Sequence, residues 1–286
     1  MRILRADEMG VCFGVRDALA AIARIAAPAE VTIHGELVHN PEVLAELDRR
    51  GFAQTPEGDR PVPATPTVLV TAHGISERER ARLHAAGKQL VDTTCPLVQK
   101  AHAAAQELQR EGRRVIVLGK PGHVEVRGLV EDLVAPIVVT APGDVATWPE
   151  RRLGVVAQTT TQVEHAERLL AAIVAANSHA DVRAIDTVCS PTKARVAALR
   201  ALLPRIDALV VVGGHGSNNT RQLVAIAERH GVPTVHVAAA DELDPAWFRG
   251  RRTVGLTAGT STLAATIDAV AARLASFAAR PVPHSA

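Results

Sequence analysis

Three cysteines, Cys12, Cys95 and Cys189, are the residues of this 286-residue chain best suited to do chemistry. An odd number of thiols cannot pair off in disulfides, so thiolate chemistry is the first question. Cys95 lies in Val-Asp-Thr-Thr-Cys-Pro and Cys189 in Ile-Asp-Thr-Val-Cys-Ser-Pro, and each precedes a helical pattern, LVQKAHAAAQEL or TKARVAALRALL. Cys12 follows a strand-like segment, Ile3 to Ala6, and precedes the helical run Val15 to Ala27. The intervals from Cys12 to Cys95 and from Cys95 to Cys189 are nearly equal, each about the size of a small domain. Three related units, each bringing one cysteine to a helix start, is the economical reading. The dipole and free N–H groups there favour negative charge. A single free cysteine is most often a small buried hydrophobe, but three in repeated strand–Cys–helix contexts argue against accidental core thiols. No close C-x-x-C pair of the zinc-ribbon kind occurs. Thiolates from three distant segments could bind three irons of a cluster and leave a fourth iron without a protein ligand, open to substrate.

A second set of residues suits an anion. His39 in Glu-Leu-Val-His-Asn, His73 in Thr-Ala-His-Gly and His123 in Pro-Gly-His-Val-Glu125 fall in strand-end loops, as do Gln158-Thr159-Thr160, Ser217-Asn218-Asn219-Thr220 and Ala-Gly-Thr260-Ser261. Imidazoles, hydroxyls, amides and exposed N–H groups together fit a phosphate or diphosphate. One such histidine is usually a structural hydrogen-bonding residue; three in different segments weigh toward a site. Gly213-Gly214-His215-Gly216 is not the Gly-x-Gly-x-x-Gly of a dinucleotide loop, and Gly119-Lys120 lacks the rest of a P-loop. Asn218-Asn219-Thr220 matches a glycosylation sequon by spacing only.

The elements that must position these residues alternate. TVLVTAHG, RVIVLGK, LGVVAQT, ALVVVGG and TVGLTAG read as buried parallel strands, most of them followed by Ala/Leu-rich amphipathic stretches. The chain is therefore α/β, with its sites expected at strand C-terminal ends. An apolar content of 47% supports a large core. Thirty-two basic against 30 acidic residues, a net charge of +2, give no electrostatic footprint for nucleic acid or an anionic membrane, and any anion site must be local. With no Tyr, four Phe and two Trp, stacking on bases has little to work with. No apolar run reaches the roughly 18 residues of a membrane span. The start MRILRADEMG lacks a signal-peptide pattern, so the expectation is a soluble cytoplasmic protein with neither nucleic-acid nor membrane partners.

Gly10-Val11-Cys12-Phe13-Gly14-Val15, Val38-His39-Asn40, Ala72-His73-Gly74, Thr94-Cys95-Pro96-Leu97-Val98, Gly122-His123-Val124-Glu125-Val126, Gln158-Thr159-Thr160 and Thr257-Ala258-Gly259 together resemble the LytB/IspH family. The match runs in order from residue 10 to about residue 275. The resemblance implies reduction of 4-hydroxy-3-methylbut-2-enyl diphosphate, the last step of the methylerythritol phosphate route to isoprenoids. It also implies three similar α/β units with mostly parallel sheets, arranged as a trefoil around a central iron–sulfur cluster. We expect the units to span 1–95 with Cys12, 96–188 with Cys95 at its start, and 189–286 with Cys189 at its start and a C-terminal tail. By the same resemblance Cys12, Cys95 and Cys189 are the ligands of a [4Fe-4S] cluster with one iron lacking a protein ligand. His39, His73, His123, Ser217, Asn218, Asn219 and Ser261 hold the allylic diphosphate. Glu125, Thr159 and His123 are catalytic, with Glu125 and Thr159 at the substrate hydroxyl. The electron donor is of the ferredoxin or flavodoxin kind. His123 and Glu125 are two apart, so on an extended loop both side chains point the same way.

The chain departs from the family pattern around the first cysteine (Val11-Cys12-Phe13), after His123 (Val124-Glu125-Val126-Arg127), at Asn218, where a Ser is common, and at Arg195-Val196, where Arg-Gln is usual. These changes spare the ligands and the proton donor but alter their surroundings, which tune a metal site. Two other readings compete: a paralogous iron–sulfur protein acting on, or sensing, a related phosphorylated metabolite, and a metal-free nucleotide-binding α/β protein. Retention of Glu125 and Thr159 disfavours a sensor, since binding alone needs neither.

Overall fold

A computed structural model describes residues 1–58 and 60–278 of the chain. The tail expected at the end of the third unit lies, from residue 279 on, outside the described residues. Along the chain, β1 (Arg2–Arg5), α1 (Phe13–Ala23), β2 (Val31–His34), α2 (Pro41–Arg49), β3 (Ala53–Gln54), β4 (Thr67–Val70), α3 (Glu77–Ala85) and β5 (Gln89–Asp92) come first. There follow α4 (Pro96–Arg110), β6 (Arg114–Leu118), α5 (Val124–Glu131), β7 (Ile137–Val139), β8 (Arg152–Ala157), α6 (Val163–Ala176) and β9 (Asp181–Ala184). The last part holds α7 (Ser190–Leu202), β10 (Ala208–Val212), α8 (Asn218–Arg229), β11 (Thr234–Val237), β12 (Thr253–Ala258) and α9 (Ala264–Ala278).

The strands form three four-stranded sheets, ordered β3-β2-β4-β5, β7-β6-β8-β9 and β1-β12-β10-β11, and every pairing is parallel. This is the α/β architecture with parallel sheets that the alternating runs imply. The five runs read in the sequence as buried parallel strands are β4, β6, β8, β10 and β12, all interior to their sheets, where burial on both faces demands continuous apolar runs, and the strand-like Ile3 to Ala6 overlaps β1.

Residues 2–5 differ from expectation. They do not join the sheet of residues 31–92, with which a first unit of 1–95 groups them; Arg2–Arg5 pair in register with Thr253–Leu256. A four-residue edge strand with charged ends carries no mark of its partner sheet. That choice falls to tertiary packing.

The chain forms two compact units. One comprises Met1–Cys12, His39–Pro41 and the residues from Ser190 onward. Its sheet is sandwiched: Val210, Val212, Val254 and Leu256 pack on Val270 and Leu274 of α9, while Leu209 and Val211 pack on Leu199 of α7 and Leu223 and Ile226 of α8. The other comprises Phe13–Val38 and Glu42–Cys189 and holds two sheets. In one of these, Val115, Val117 and Val156 face α4 and α5, and Ile116, Leu118 and Val155 face Leu169 and Ile173 of α6. In the other, Val68, Val70 and Leu83 form a smaller core. Each fully buried aliphatic side chain contributes roughly 1.5–3 kcal/mol, so these layers anchor the strand ends that carry the polar loops.

Candidate active site

In the unit of residues 13–38 and 42–189, the loop after β6 turns at Gly122, whose φ of +76° suits glycine, and delivers His123 to the start of α5. His123 caps that helix: its Nδ1 accepts the Glu125 backbone N–H at 3.2 Å. This corrects the extended-loop expectation, because Glu125 sits in the first helical turn and is buried there. With Nδ1 committed as acceptor, a neutral His123 carries its proton on Nε2.

The Glu125 carboxylate meets the loop after β8. The Thr159 backbone N–H donates to Oε1 at 2.6 Å and the Thr159 hydroxyl donates to Oε2 at 3.0 Å. Burial raises the Glu125 pKa, the two bonds from Thr159 pull it down, and burial prevails, leaving it at about 7. A carboxyl so placed exchanges a proton near neutral pH. Thr159 also accepts the Cys189 N–H on its carbonyl at 2.8 Å, so one residue touches both the proton-holding group and a cysteine backbone. Gln158 steadies this loop, accepting Lys120 N–H at 3.2 Å and donating to Thr160 Oγ1 at 3.1 Å.

His73 stands edge-on to His123, with ring centroids 5.9 Å apart. Its neighbour Ala72 accepts the Cys95 N–H at 3.1 Å, and Cys95 caps α4 with Pro96 at the first helical position. The start of α1 packs against that thiol: a Cβ built on Gly14 would stand 2.6 Å from Cys95 Sγ. This unit thus brings together His73, His123, Glu125, Thr159 and the backbones of Cys95 and Cys189.

The other unit gathers the rest. Cys12 donates its N–H to Thr260 O at 3.0 Å, and Thr260 N–H donates to Asn219 Oδ1 at 3.1 Å. Ser217 caps α8, accepting Thr220 N–H, and Asn218 is the first residue of that helix. Asn219 is 4% exposed, and its buried Nδ2 has no hydrogen-bond acceptor among the described residues. A buried donor left so is costly unless a ligand completes it. Asn40 Nδ2 donates to Ser261 O at 2.7 Å and Ser261 Oγ to His39 O at 3.3 Å, which sets His39 beside Ser261. The loop after β10 turns at Gly213, φ +151°, where a Cβ would stand 2.5 Å from Thr220 Oγ1.

Several roles escaped the sequence reading. Asn40 fastens the His39 segment, the Thr260 backbone joins Cys12 to Asn219, and buried Arg195 donates to Gly10 O two residues before Cys12. The motifs had flagged Asn40 and Arg195 without a partner, and backbone pairings leave no composition signal.

The three cysteines are of intermediate burial and none is in a disulfide. Among the described residues, no group of three or more His, Cys, Asp or Glu side chains is arranged around a single metal ion. A cluster, in which each thiolate binds a different iron, asks for no such group. Three thiols outside any disulfide fit soft iron, and the buried Asn219 Nδ2 fits an anionic ligand.

The model of the LytB protein family matches residues 3–275. A 4-hydroxy-3-methylbut-2-enyl diphosphate reductase of Anaeromyxobacter sp. (strain K) is 38% identical over 277 residues, covering 96% of this chain and 99% of the relative. The reductase of that name from Aquifex aeolicus is 34% identical, with 95% of each chain covered. A solved structure of (E)-4-hydroxy-3-methyl-but-2-enyl diphosphate reductase, the terminal enzyme of the non-mevalonate pathway, superposes with a TM-score of 0.69 at 32% identity, over 96% of this chain and all of the other. The Plasmodium falciparum reductase structure gives a TM-score of 0.87 at 24% identity, over 98% of this chain and 88% of the other, a likeness of fold. With a family match across nearly its whole length and motifs seated at strand ends and helix starts, the chain belongs to the LytB family.

Proposed function

We propose that this chain reductively dehydroxylates 4-hydroxy-3-methylbut-2-enyl diphosphate to isopentenyl and dimethylallyl diphosphates, the activity for which its relatives are named and the last step of the methylerythritol phosphate route. The observation that carries this reading is the Glu125–Thr159 pair. Loss of an allylic hydroxyl as water needs a proton at the departing oxygen, and a buried carboxyl with a pKa of about 7 holds one at neutral pH. When Glu125 is neutral, its own proton satisfies Thr159 Oγ1, and the threonine hydroxyl is released to donate outward. The pair is thus a two-group relay to the substrate oxygen.

His39, His73, His123, Ser217, Asn218, Asn219 and Ser261 would bind the diphosphate, His123 through Nε2 and Asn219 through its unpaired Nδ2. Fixing the diphosphate fixes the reacting carbon, which is the entropic part of the catalysis. Cys12, Cys95 and Cys189 would hold one [4Fe-4S] cluster with an iron lacking a protein ligand, a group that supplies electrons and Lewis acidity when bound. Electrons would come from a ferredoxin or flavodoxin in the cytoplasm. Among the described residues no helix is long and apolar enough to cross a membrane.

Glu125→Gln tests the assignment. Glutamine keeps size and hydrogen bonding but cannot act as a carboxylic acid. Substrate affinity should stay near parental while turnover with an artificial reductant falls by roughly 10²-fold or more. Turnover within a few-fold of parental would remove Glu125 from the reaction.

A further inference from the structure

In the unit of residues 13–38 and 42–189, a cavity of about 150 Å³ is bordered by Arg60, Arg82, Arg127, Ser76, Glu79 and Glu131. That is roughly ten times the space one water requires. Arg60 is the unusual member. Its side chain is 5% exposed, it is paired with Glu57 at 3.0 Å, and its buried Nε has no hydrogen-bond acceptor among the described residues. A buried guanidinium with an idle donor is costly unless an anion completes it. The chain makes room for it at Gly35, φ +95°, where a Cβ would come within 2.3 Å of Arg60 Nη2.

Arg127 faces the same cavity and is also under-partnered. Its Nη1 donates to Gly58 O at 2.7 Å, and Glu131 is 3.8 Å away, beyond hydrogen bonding. Glu131 instead accepts the Ser76 hydroxyl at 2.6 Å. Arg82, by contrast, is spent on Glu79 and on Arg60 O. Burial pushes the Arg60 pKa down, Glu57 offsets part of that and the charge of Arg127 adds to it, and burial likewise lowers the His34 pKa, partly offset by its bond to Glu79. Two guanidiniums that repel each other at one cavity, one with a buried donor lacking an acceptor and the other part-exposed with its Nε and Nη2 edge not hydrogen-bonded to protein, are an arrangement that recognises a tetrahedral oxyanion.

We propose that this cavity is a binding site for a small inorganic oxyanion of the phosphate class, held by Arg60 Nε and the Nε and Nη2 edge of Arg127. It is separate from the diphosphate groups named above. Its walls include Gly74 and Val124, each next in sequence to a histidine of that set, so an ion here braces both loops from behind.

The test is calorimetry of the anaerobically purified holoprotein with inorganic phosphate, at constant ionic strength set by chloride. Parental protein, Arg127→Met, Arg127→Lys and His39→Ala are compared. Arg127 is partly exposed, so its replacement should leave the far-ultraviolet circular dichroism unchanged, and the Lys variant serves should the Met variant unfold. Phosphate should bind parental and His39→Ala proteins alike, about tenfold or more weakly in Arg127→Met, and between the two in Arg127→Lys. Parental affinity in both Arg127 variants would overturn the site. So would phosphate binding that disappears in His39→Ala but persists in Arg127→Met, since phosphate would then report only the diphosphate groups.

Discussion

At Glu125, burial and hydrogen bonding pull the proton affinity in opposite directions, and with Glu125 as the proposed proton donor the outcome sets the pH at which the chain can act. On the proposed role the acid form is the competent one, so kcat/KM should fall about tenfold per pH unit above about pH 7, where burial outweighs the two Thr159 bonds. Thr159→Val removes the hydroxyl and keeps the backbone N–H. Losing a bond that favours the charged form raises the Glu125 pKa further, so the alkaline limb should move to higher pH even as the rate falls. A pH profile of both proteins checks this; an unmoved limb would mean that another group titrates. The residue types of this site were legible because histidines, hydroxyls and amides cluster in strand-end loops. Their partners were not. That His123 accepts from Glu125 N–H, and that Glu125 lies in a helix, depends on where α5 begins, and helix starts are set by capping geometry that a spacing of two does not reveal.

Among the elements, five interior strands were readable as apolar runs, and of the flanking strands only β1 showed, as the strand-like Ile3 to Ala6. ALVVV of β10 is buried throughout, whereas RILR of β1, QLVD of β5 and DVRA of β9 are exposed at both ends. VTIH of β2 is buried along its whole length yet carries Thr32, whose Oγ1 pairs with Thr65 at 2.7 Å, and His34, whose Nε2 pairs with Glu79 at 2.8 Å. Buried polar groups with partners defeat a reading based on apolar runs. Helix starts carry the chemistry, and Gly14 shows how tightly one is packed. Alanine would favour α1 by about 1 kcal/mol in isolation. Here its Cβ would stand 2.6 Å from Cys95 Sγ, closer than real Cβ contacts come, so either the thiol or α1 must shift. Gly14→Ala should therefore keep its helix content and bind substantially less iron per chain, read by circular dichroism and iron quantification. Full iron content would show that the thiol can move without loss.

For the whole molecule, the repeat of strand–Cys–helix segments anticipated the parallel α/β build, while the grouping of segments departed from the order of the chain. Residues 1–12 and 39–41 belong with those after 189, so Cys12 and His39 are carried by the same unit as Ser217, Asn219 and Ser261. Chain order gave no warning, because β1 finds its partner, β12, some 250 residues away. The same grouping gives each unit part of the proposed site: one holds Glu125, Thr159, His73 and His123, the other the Asn219 amide and the Ser217 cap. A phosphate sensor could use the anion groups alone, whereas a reductase needs the proton relay as well. The measurement that separates them is the anaerobic reaction of the purified protein with 4-hydroxy-3-methylbut-2-enyl diphosphate and a chemical reductant, with the products identified. The account predicts catalytic consumption of substrate and formation of isopentenyl and dimethylallyl diphosphates. Substrate that binds stoichiometrically to iron-loaded protein and is recovered unchanged would contradict it.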